Sequence, residues 1–274
     1  MDRRTFLGTL TAAGILSRRL SWAAENHRIA KVGVQLYTVR DLMKSDFDGT
    51  LAKVAGIGYK EVEFAGYFDH TPEQVKASLA KVGMVSPSAH FDSTYLGDKW
   101  AGVIESAKAI GQQYVVCSFI KEELRKEPGS WHRIAETFNK TGEASKKAGL
   151  QFAYHNHTFE FEPTEGQLPY DILLKETDPN LVKMEMDLYW ATKAGADPIA
   201  YFNRYPGRFP LVHVKGMAQD GSMTSVGADN KIDWKKIFAD PKGGIQHYFV
   251  EHDNPASPLD SIRSSYEYLS HVRF

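Results

Sequence analysis

The chain is poor in cysteine, in net charge and in low-complexity sequence, and each shortage excludes a class of protein. A single cysteine in 274 residues, Cys117, rules out an internal disulfide framework and a cysteine-based zinc cluster. Any bound metal must then be held by His, Asp and Glu. Cys117 lies in the apolar run Gln113–Ile120, "QYVVCSFI", as expected of a buried spectator. Lys and Arg number 33 against 34 Asp and Glu, so no broad attraction to nucleic acid or to an anionic membrane is expected. No Pro/Ser/Gly-rich linker interrupts residues 28–274. With 42% hydrophobic and 24% charged residues, the chain has ample material for a globular core.

No hydrophobic run is long enough to serve as a mature transmembrane helix. The apolar stretch near the start is short and belongs to a separate module, "MDRRTFLGTLTAAGILSRRLSWAAE". It has a positive beginning and a cleavage-like end at Ser21-Trp22-Ala23. Arg3-Arg4 followed by Thr5-Phe6-Leu7 resembles the twin-arginine signal that exports folded proteins. Residues 1–24 are therefore expected to be an export signal, giving a periplasmic or exported protein without a stable membrane anchor. The alternative is a short amphipathic helix, favoured by the unusual Arg18-Arg19 ahead of the cleavage point.

From residue 28 onward, β-rich runs alternate with helical patterns. The strand candidates are "KVGVQLYT", "YKEVEFA", "MVSPSAHF", "QYVVCSF", "LQFAYHNH", "LVKMEMD", "PLVHVKG" and "HYFVEHD". Between them lie helices such as "TPEQVKASLAKVG", where Thr71 can cap, Pro72 suits the first turn, and Val75, Leu79 and Val82 share a face. Eight strand-then-helix units in about 250 residues predict a single (β/α)8 TIM barrel over 28–274 in preference to a doubly wound sheet.

Barrel active sites gather at the carboxyl ends of the strands, and polar residues cluster there in this sequence. The sixth run carries Lys183, Glu185 and Asp187 on one parity against Met184 and Met186 on the other, which inverts the usual apolar alternation. The seventh sets His213 and Lys215 together; the eighth sets Phe249, Glu251 and Asp253 together. In the fifth, "FAYHNHTFEFEP", His155 and His157 share a side. Each residue alone has an ordinary explanation: Asp187 can cap a loop, His213 can be a core histidine, Glu251 can pair with Lys215. Together, His155, Asp187, His213 and Glu251 at strand ends would be costly without a cation to compensate them. Two imidazoles and two carboxylates suit one divalent ion, with Mn first and Co, Fe or Zn as alternatives to the oxygen-preferring Mg and Ca.

The segments "VGVQLYTVRD", "GYKEVEF", the His-ending third strand, "MEMDLYW", "LVHVKG" and "FVEHD", in that order, resemble the xylose-isomerase-like TIM barrels. This is the sugar phosphate isomerase/epimerase group, whose fold endonuclease IV shares. The resemblance covers nearly the whole chain after the signal. It implies one divalent metal held by a glutamate after strand five, an aspartate after strand six, a histidine on strand seven and a glutamate on strand eight. Asp187, His213 and Glu251 match the last three. At strand five the family pattern Glu-Asn-His is replaced by His155-Asn156-His157, so His155 stands where the glutamate would be. A second register, anchored on Phe159-Glu160, would put Tyr154 there instead.

In epimerases of the family the two glutamates move protons across the sugar, so this substitution argues against simple two-base epimerisation. The "YHNH" form also resembles the inosose dehydratase branch, where proton abstraction is followed by loss of a leaving group. The implied mechanism is metal-assisted enolisation of a sugar or keto-sugar, the ion stabilising the enediolate as a Lewis acid. Glu251 is the candidate base, with His157 or Lys215 as second proton carrier; Lys215 is otherwise a partner for Glu185 or Glu251. Candidate sugar contacts are Gln35, Tyr37, Glu63, His90, Glu160 and Trp190. The competing functions are a non-catalytic periplasmic sugar-binding barrel and an endonuclease IV-like phosphodiester hydrolase. The neutral charge balance and the absence of further His/Asp ligands speak against the hydrolase, and no nucleic-acid partner is expected. A homo-oligomer is left open.

Overall fold

Apolar, β-branched residues on one parity of each run drive strand formation, because that face can be buried under the helices. A computed structural model describes residues 27–274, and the expected export signal at 1–24 lies outside them. All eight expected strands form: β1 (Val32–Gln35), β2 (Glu61–Ala65), β3 (Val85–Phe91), β4 (Tyr114–Cys117), β5 (Gln151–His155), β6 (Val182–Asp187), β7 (Leu211–Val214) and β10 (His247–Val250). They pair in parallel as a closed barrel in the order β1-β10-β7-β6-β5-β4-β3-β2, with β1 bonded to both β10 and β2. A short antiparallel hairpin of β8 (Gly216–Met217) and β9 (Met223–Thr224) follows β7. Strands of two residues are too short to leave an alternation in the sequence. Among the described residues no helix is long and apolar enough to cross a membrane.

Helix boundaries follow local chemistry. The helix Pro72–Val82 begins in a reciprocal capping box between Thr71 and Gln74, with Pro72 in the first turn, and stops at Gly83 in the left-handed region. Its apolar stripe, Val75 and Leu79, is buried against the barrel. The closing helix runs from Pro258 to His271, with Ile262 and Leu269 fully buried.

The two parities of the strands make two cores. Outward residues such as Val34, Phe64, Phe152, Met184, Met186 and Val214 pack with the helices in one large cluster. Inward residues Tyr114, Val116, Ala153, Leu211 and Phe249 form a separate small cluster that plugs the barrel, as expected of a packed interior rather than a pore. Two residues beyond Ala153, Leu211 and Phe249, the same inward parity yields His155, His213 and Glu251, and the end of β6 adds Asp187. Below the plug, Glu61 and His247 pair at 2.8 Å.

Gly33 leaves space for this plug. A Cβ there would lie 2.6 Å from Cδ1 of Phe249 and 3.2 Å from the Tyr248 carbonyl oxygen. Gly33→Ala is therefore expected to lower stability, because overpacking costs about 1–3 kcal/mol while the stiffer unfolded chain returns only about 0.4–1 kcal/mol. Denaturant unfolding with unchanged m-value should show the lower midpoint, and Gly33→Ala/Phe249→Leu should recover part of it. A midpoint at or above the wild-type value would contradict the close packing.

Candidate active site

Four strand ends converge above the plug. His155 ends β5, Asp187 ends β6, His213 lies within β7 and Glu251 directly follows β10, with Asp187 and His213 paired in register. One donor atom from each lies within 4.8 Å of all the others.

Local structure aims each of them. Asp187 caps the helix Leu188–Lys193 by accepting the Trp190 N–H on Oδ1 at 2.8 Å. Its Oδ2 is thereby turned inward, 3.3 Å from His155 Nε2 and 3.2 Å from Lys215 Nζ. Asn156 clamps the same residue: its Oδ1 accepts the Asp187 N–H at 3.1 Å and its Nδ2 donates to the Asp187 carbonyl at 3.3 Å. His155 faces Ser118 with Nδ1, 3.3 Å from that carbonyl, which leaves Nε2 toward Asp187. His213 turns Nε2 to Glu63 and Nδ1 to Glu251, each at 2.7 Å. A histidine whose far nitrogen donates to a carbonyl or carboxylate is held in the tautomer a metal needs.

Charge explains the protonation states. Glu63, Glu185, Asp187, Glu251 and Asp253 surround one end of the barrel, the first four buried. Lys215 pairs with three of them, at 3.2 Å from Asp187, 2.8 Å from Glu251 and 2.6 Å from Asp253, while Glu63 and Glu185 face His90 and His213. Burial pushes the Asp187 carboxyl up to about 6 against the pull of Lys215 and His213. Burial and the neighbouring Glu63 raise Glu185 to about 7. For Glu251, burial is outweighed by Lys215 and His213, which hold the carboxyl well below the usual range. Burial would lower His90 and His213, but the glutamates overcome it, raising His213 well above its ordinary value and His90 to about 9. His155 and His157 go the other way: burial and nearby cations keep both neutral, His157 falling to about 3.

This arrangement fits a divalent ion. Its donors are two imidazole nitrogens and two carboxylate oxygens, and the second nitrogen of each histidine is already engaged. A second group that could hold a cation, Glu63, His90, Glu185 and His213, shares His213 with that arrangement, and there the buried oxygens Glu63 Oε1 and Glu185 Oε1 have no hydrogen-bond partner.

A cavity of about 360 Å³ opens beside these groups, walled by His90, His155, His157, Lys215, Glu251 and Asp253 on its polar side. Aromatic residues Tyr37, Phe91, Tyr95 and Phe119 form much of the rest. Of the expected sugar contacts, Tyr37 and His90 line it and four others do not. Gln35 is fully buried and donates to Glu63 at 2.8 Å, while Glu63 sits behind His90 and His213 as their acceptor. Glu160 is buried on the opposite parity, bonded to the Tyr154 hydroxyl and, at 2.8 Å, to the His157 N–H. Trp190 lies behind His157, with ring centroids 6.1 Å apart. These four are corrected to supports: for Gln35 and Glu63 inward parity brings a side chain to the barrel axis without bringing it to the cavity surface, and Glu160 and Trp190 lie in helical turns beyond their strands. Tyr154 faces outward against Phe138, so His155 and not Tyr154 occupies the inward position. Lys215 meets Glu251 but not Glu185, which pairs with His90 instead.

Sequence reasoning left out Asn156, Ser118, Asp92 and Tyr95 as site residues, and it left Glu185 unassigned. Glu185 had a signal, the inverted alternation of β6. Asn156 had none, since its role depends on where the chain turns after β5.

A closed parallel barrel with a His/Asp/His/Glu donor set at its carboxyl end defines the class of protein. The sequence pattern of the xylose isomerase-like TIM barrel family matches residues 51–240, and the chain belongs to that family. Among curated proteins it is similar to an inosose dehydratase of Lacticaseibacillus casei, 24% identical over 81% of this chain and 88% of the relative. Among solved structures it is similar to a sugar phosphate isomerase/epimerase from Parabacteroides distasonis, with a TM-score of 0.77 and 23% identity over 89% of this chain and 94% of the other. A barrel solved with a bound zinc atom gives a TM-score of 0.67 at 14% identity over 86% of this chain and 95% of that one.

Purified protein is expected to bind about one Mn or Zn ion per chain, measured by elemental analysis and competition titration. Glu63→Ala, which strips His213 of its acceptor, should weaken the ion by about 10–100-fold, and Asp187→Asn should weaken it at least as much. A wild-type chain that takes up no transition metal would overturn the fit.

Proposed function

We propose that this chain is a divalent-metal-dependent enzyme that enolises a sugar or keto-sugar, completing the reaction by loss of water or by carbonyl migration. The observation that carries this reading is the convergence of donor atoms of His155, Asp187, His213 and Glu251 within 4.8 Å of one another, beside a cavity that His155, His157, Lys215 and Glu251 line. The names of relatives, inosose dehydratase and sugar phosphate isomerase/epimerase, agree with it. The ion, Mn by preference and Co, Fe or Zn otherwise, would be held by those four residues and would supply Lewis-acid stabilisation of the enediolate.

The chain's own residues divide the remaining work. Glu251 is ionised and lies on the cavity wall, placed to take the proton from the carbon beside the carbonyl. Lys215 stays an ammonium, because its three carboxylate neighbours outweigh burial, so it donates hydrogen bonds to oxygen where charge develops and does not act as a base. Neutral His157, whose Nδ1 lacks a partner, is the second proton acceptor. Two glutamates facing each other across the sugar are not present, since His155 replaces one. The N-terminal stretch is read as an export signal, which places this chemistry outside the cytoplasm.

The test is solvent exchange. With Mn supplied, candidate keto-sugars in heavy water should take up deuterium at the carbon beside the carbonyl, followed by NMR. His157→Gln should slow exchange by about 10²–10⁴-fold while leaving metal content unchanged. A metal-loaded enzyme that binds sugars but exchanges no proton would leave only a sugar-binding barrel.

A further inference from the structure

The charge lining of the cavity carries a statement about its ligand. Asp92, Glu251 and Asp253 line it, and Lys215 is the lysine or arginine on its wall among the described residues. Lys215 is spent: its ammonium touches three carboxylates at 3.2 Å or less. Arg40, at the rim, is committed as well. One of its nitrogens donates to the carbonyls of Tyr37 and Asp253 and another to Asn254 Oδ1, and its guanidinium lies 4.1 Å over the Tyr37 ring.

TIM barrels that hold phosphate use the loops after the seventh and eighth barrel strands and a helix N-terminus beside them. Here β7 runs straight into the β8–β9 hairpin. The helix after β10 starts with Pro258, which has no N–H, and carries Asp260 in its first turn, whose carboxylate accepts the Ser257 hydroxyl at 2.5 Å. A phosphate in the cavity would therefore meet Asp92, Glu251 and Asp253 on the wall, and the cations there, Lys215 and His90, are already paired with carboxylates. With an ion held by Asp187 and Glu251, Lys215 would still be paired with Asp253 at 2.6 Å, and the Asp92 carboxylate would remain on the wall.

Apolar walls replace the missing cations. Tyr37 and Tyr95 are 41% and 42% exposed, unusual for rings of this size, and both face the cavity. Arg40 packs on the Tyr37 ring, and Phe91 meets Tyr95 edge-on with centroids 5.3 Å apart, so both platforms are braced. At about 360 Å³ the cavity is at the small end for ligand sites.

Resting on the reading of this cavity as a sugar site, we propose that it takes an uncharged, unphosphorylated sugar ring packed against Tyr37 and Tyr95, and that it selects against phosphate esters. The carbon-bound hydrogens of a sugar face suit such rings, while its hydroxyls suit Asp92 and Asp253 as acceptors. The selection is by repulsion as much as by attraction.

Calorimetry on the full Mn-loaded chain tests this, using paired probes: fructose with fructose 6-phosphate, glucose with glucose 6-phosphate, a panel of other free hexoses and disaccharides, and inorganic phosphate. Free sugars should bind at least about tenfold more tightly than their esters, inorganic phosphate should not compete, and Tyr37→Ala should weaken free sugar about tenfold with metal content unchanged. An ester that binds as well as its free sugar, phosphate that competes, or a panel in which no free sugar binds would overturn the proposal. Free sugars that bind without solvent exchange would refute enolisation and leave this selectivity standing.

Discussion

Everything at the carboxyl end of the barrel depends on how five carboxylates share one buried space. At an effective dielectric of 20, two like charges 4 Å apart repel by about 4 kcal/mol, so they cannot all be ionised without compensation. The chain answers with Lys215 at the centre of Asp187, Glu251 and Asp253, with His90 between Glu63 and Glu185, and with His213 between Glu63 and Glu251. Each cationic group serves more than one acid. The raised Asp187 and Glu185 carboxyls show that this is still not enough, and on the proposed reading a divalent cation among the donors, displacing the proton on His213 Nδ1, would complete the balance. On that reading structure and ligand would be coupled through that deficit: the same charges that destabilise an empty site would favour a cation there.

Such a cluster holds its geometry only on rigid supports. The inward plug of Leu211 and Phe249 lies one strand repeat below His213 and Glu251, and Gly33 leaves room for the Phe249 ring. Outward Met184 and Met186 anchor β6 among the helices, so Glu185 and Asp187 can face inward only. Asn156 then ties the end of β5 to the end of β6 through both polar groups of the Asp187 backbone. The position of Asp187 is thus fixed by a side chain that touches neither the cavity nor the donors' inner face.

The fold was legible because eight β-rich runs alternate with helical patterns, even where every strand residue is apolar, as in Tyr114–Cys117, and the convergence of the four candidate donors because strand parity carries it. Asp187, His213 and Glu251 could be placed from β6, β7 and β10 alone, and His155 by parity with Ala153. Depth along the axis was not legible. Gln35 and Glu63 share the inward parity with Tyr37 yet lie beneath the surface, since parity fixes the direction of a side chain and not how far the cavity reaches. Glu160 was misread for a different reason: the chain leaves the strand after His155 and turns into a short helical segment, Phe159–Phe161, so strand periodicity no longer applied. The hairpin β8–β9 and the clamp by Asn156 arise from tertiary contacts that leave no local pattern.

The histidine at position 155 alters the charge of the inner set as well as its shape. With a glutamate there, the donors would carry three negative charges; with neutral His155, Asp187 and Glu251 carry two, which a divalent ion balances fully. Less negative charge around an ion held there would, on the proposed reading, leave it a stronger electrophile toward a carbonyl oxygen. The same replacement removes one of two opposed carboxylates, so on the proposed reading protons enter and leave the carbon from the Glu251 side. A single carboxylate cannot deliver a proton to the opposite face, and neutral His157 is a poor donor. Inversion at that carbon is therefore disfavoured, while loss of a hydroxyl beside the enediolate or migration of the carbonyl needs no second carboxylate. On that reading the histidine at one strand end decides the chemistry the site would perform, while the closed sheet beneath it holds the site in place.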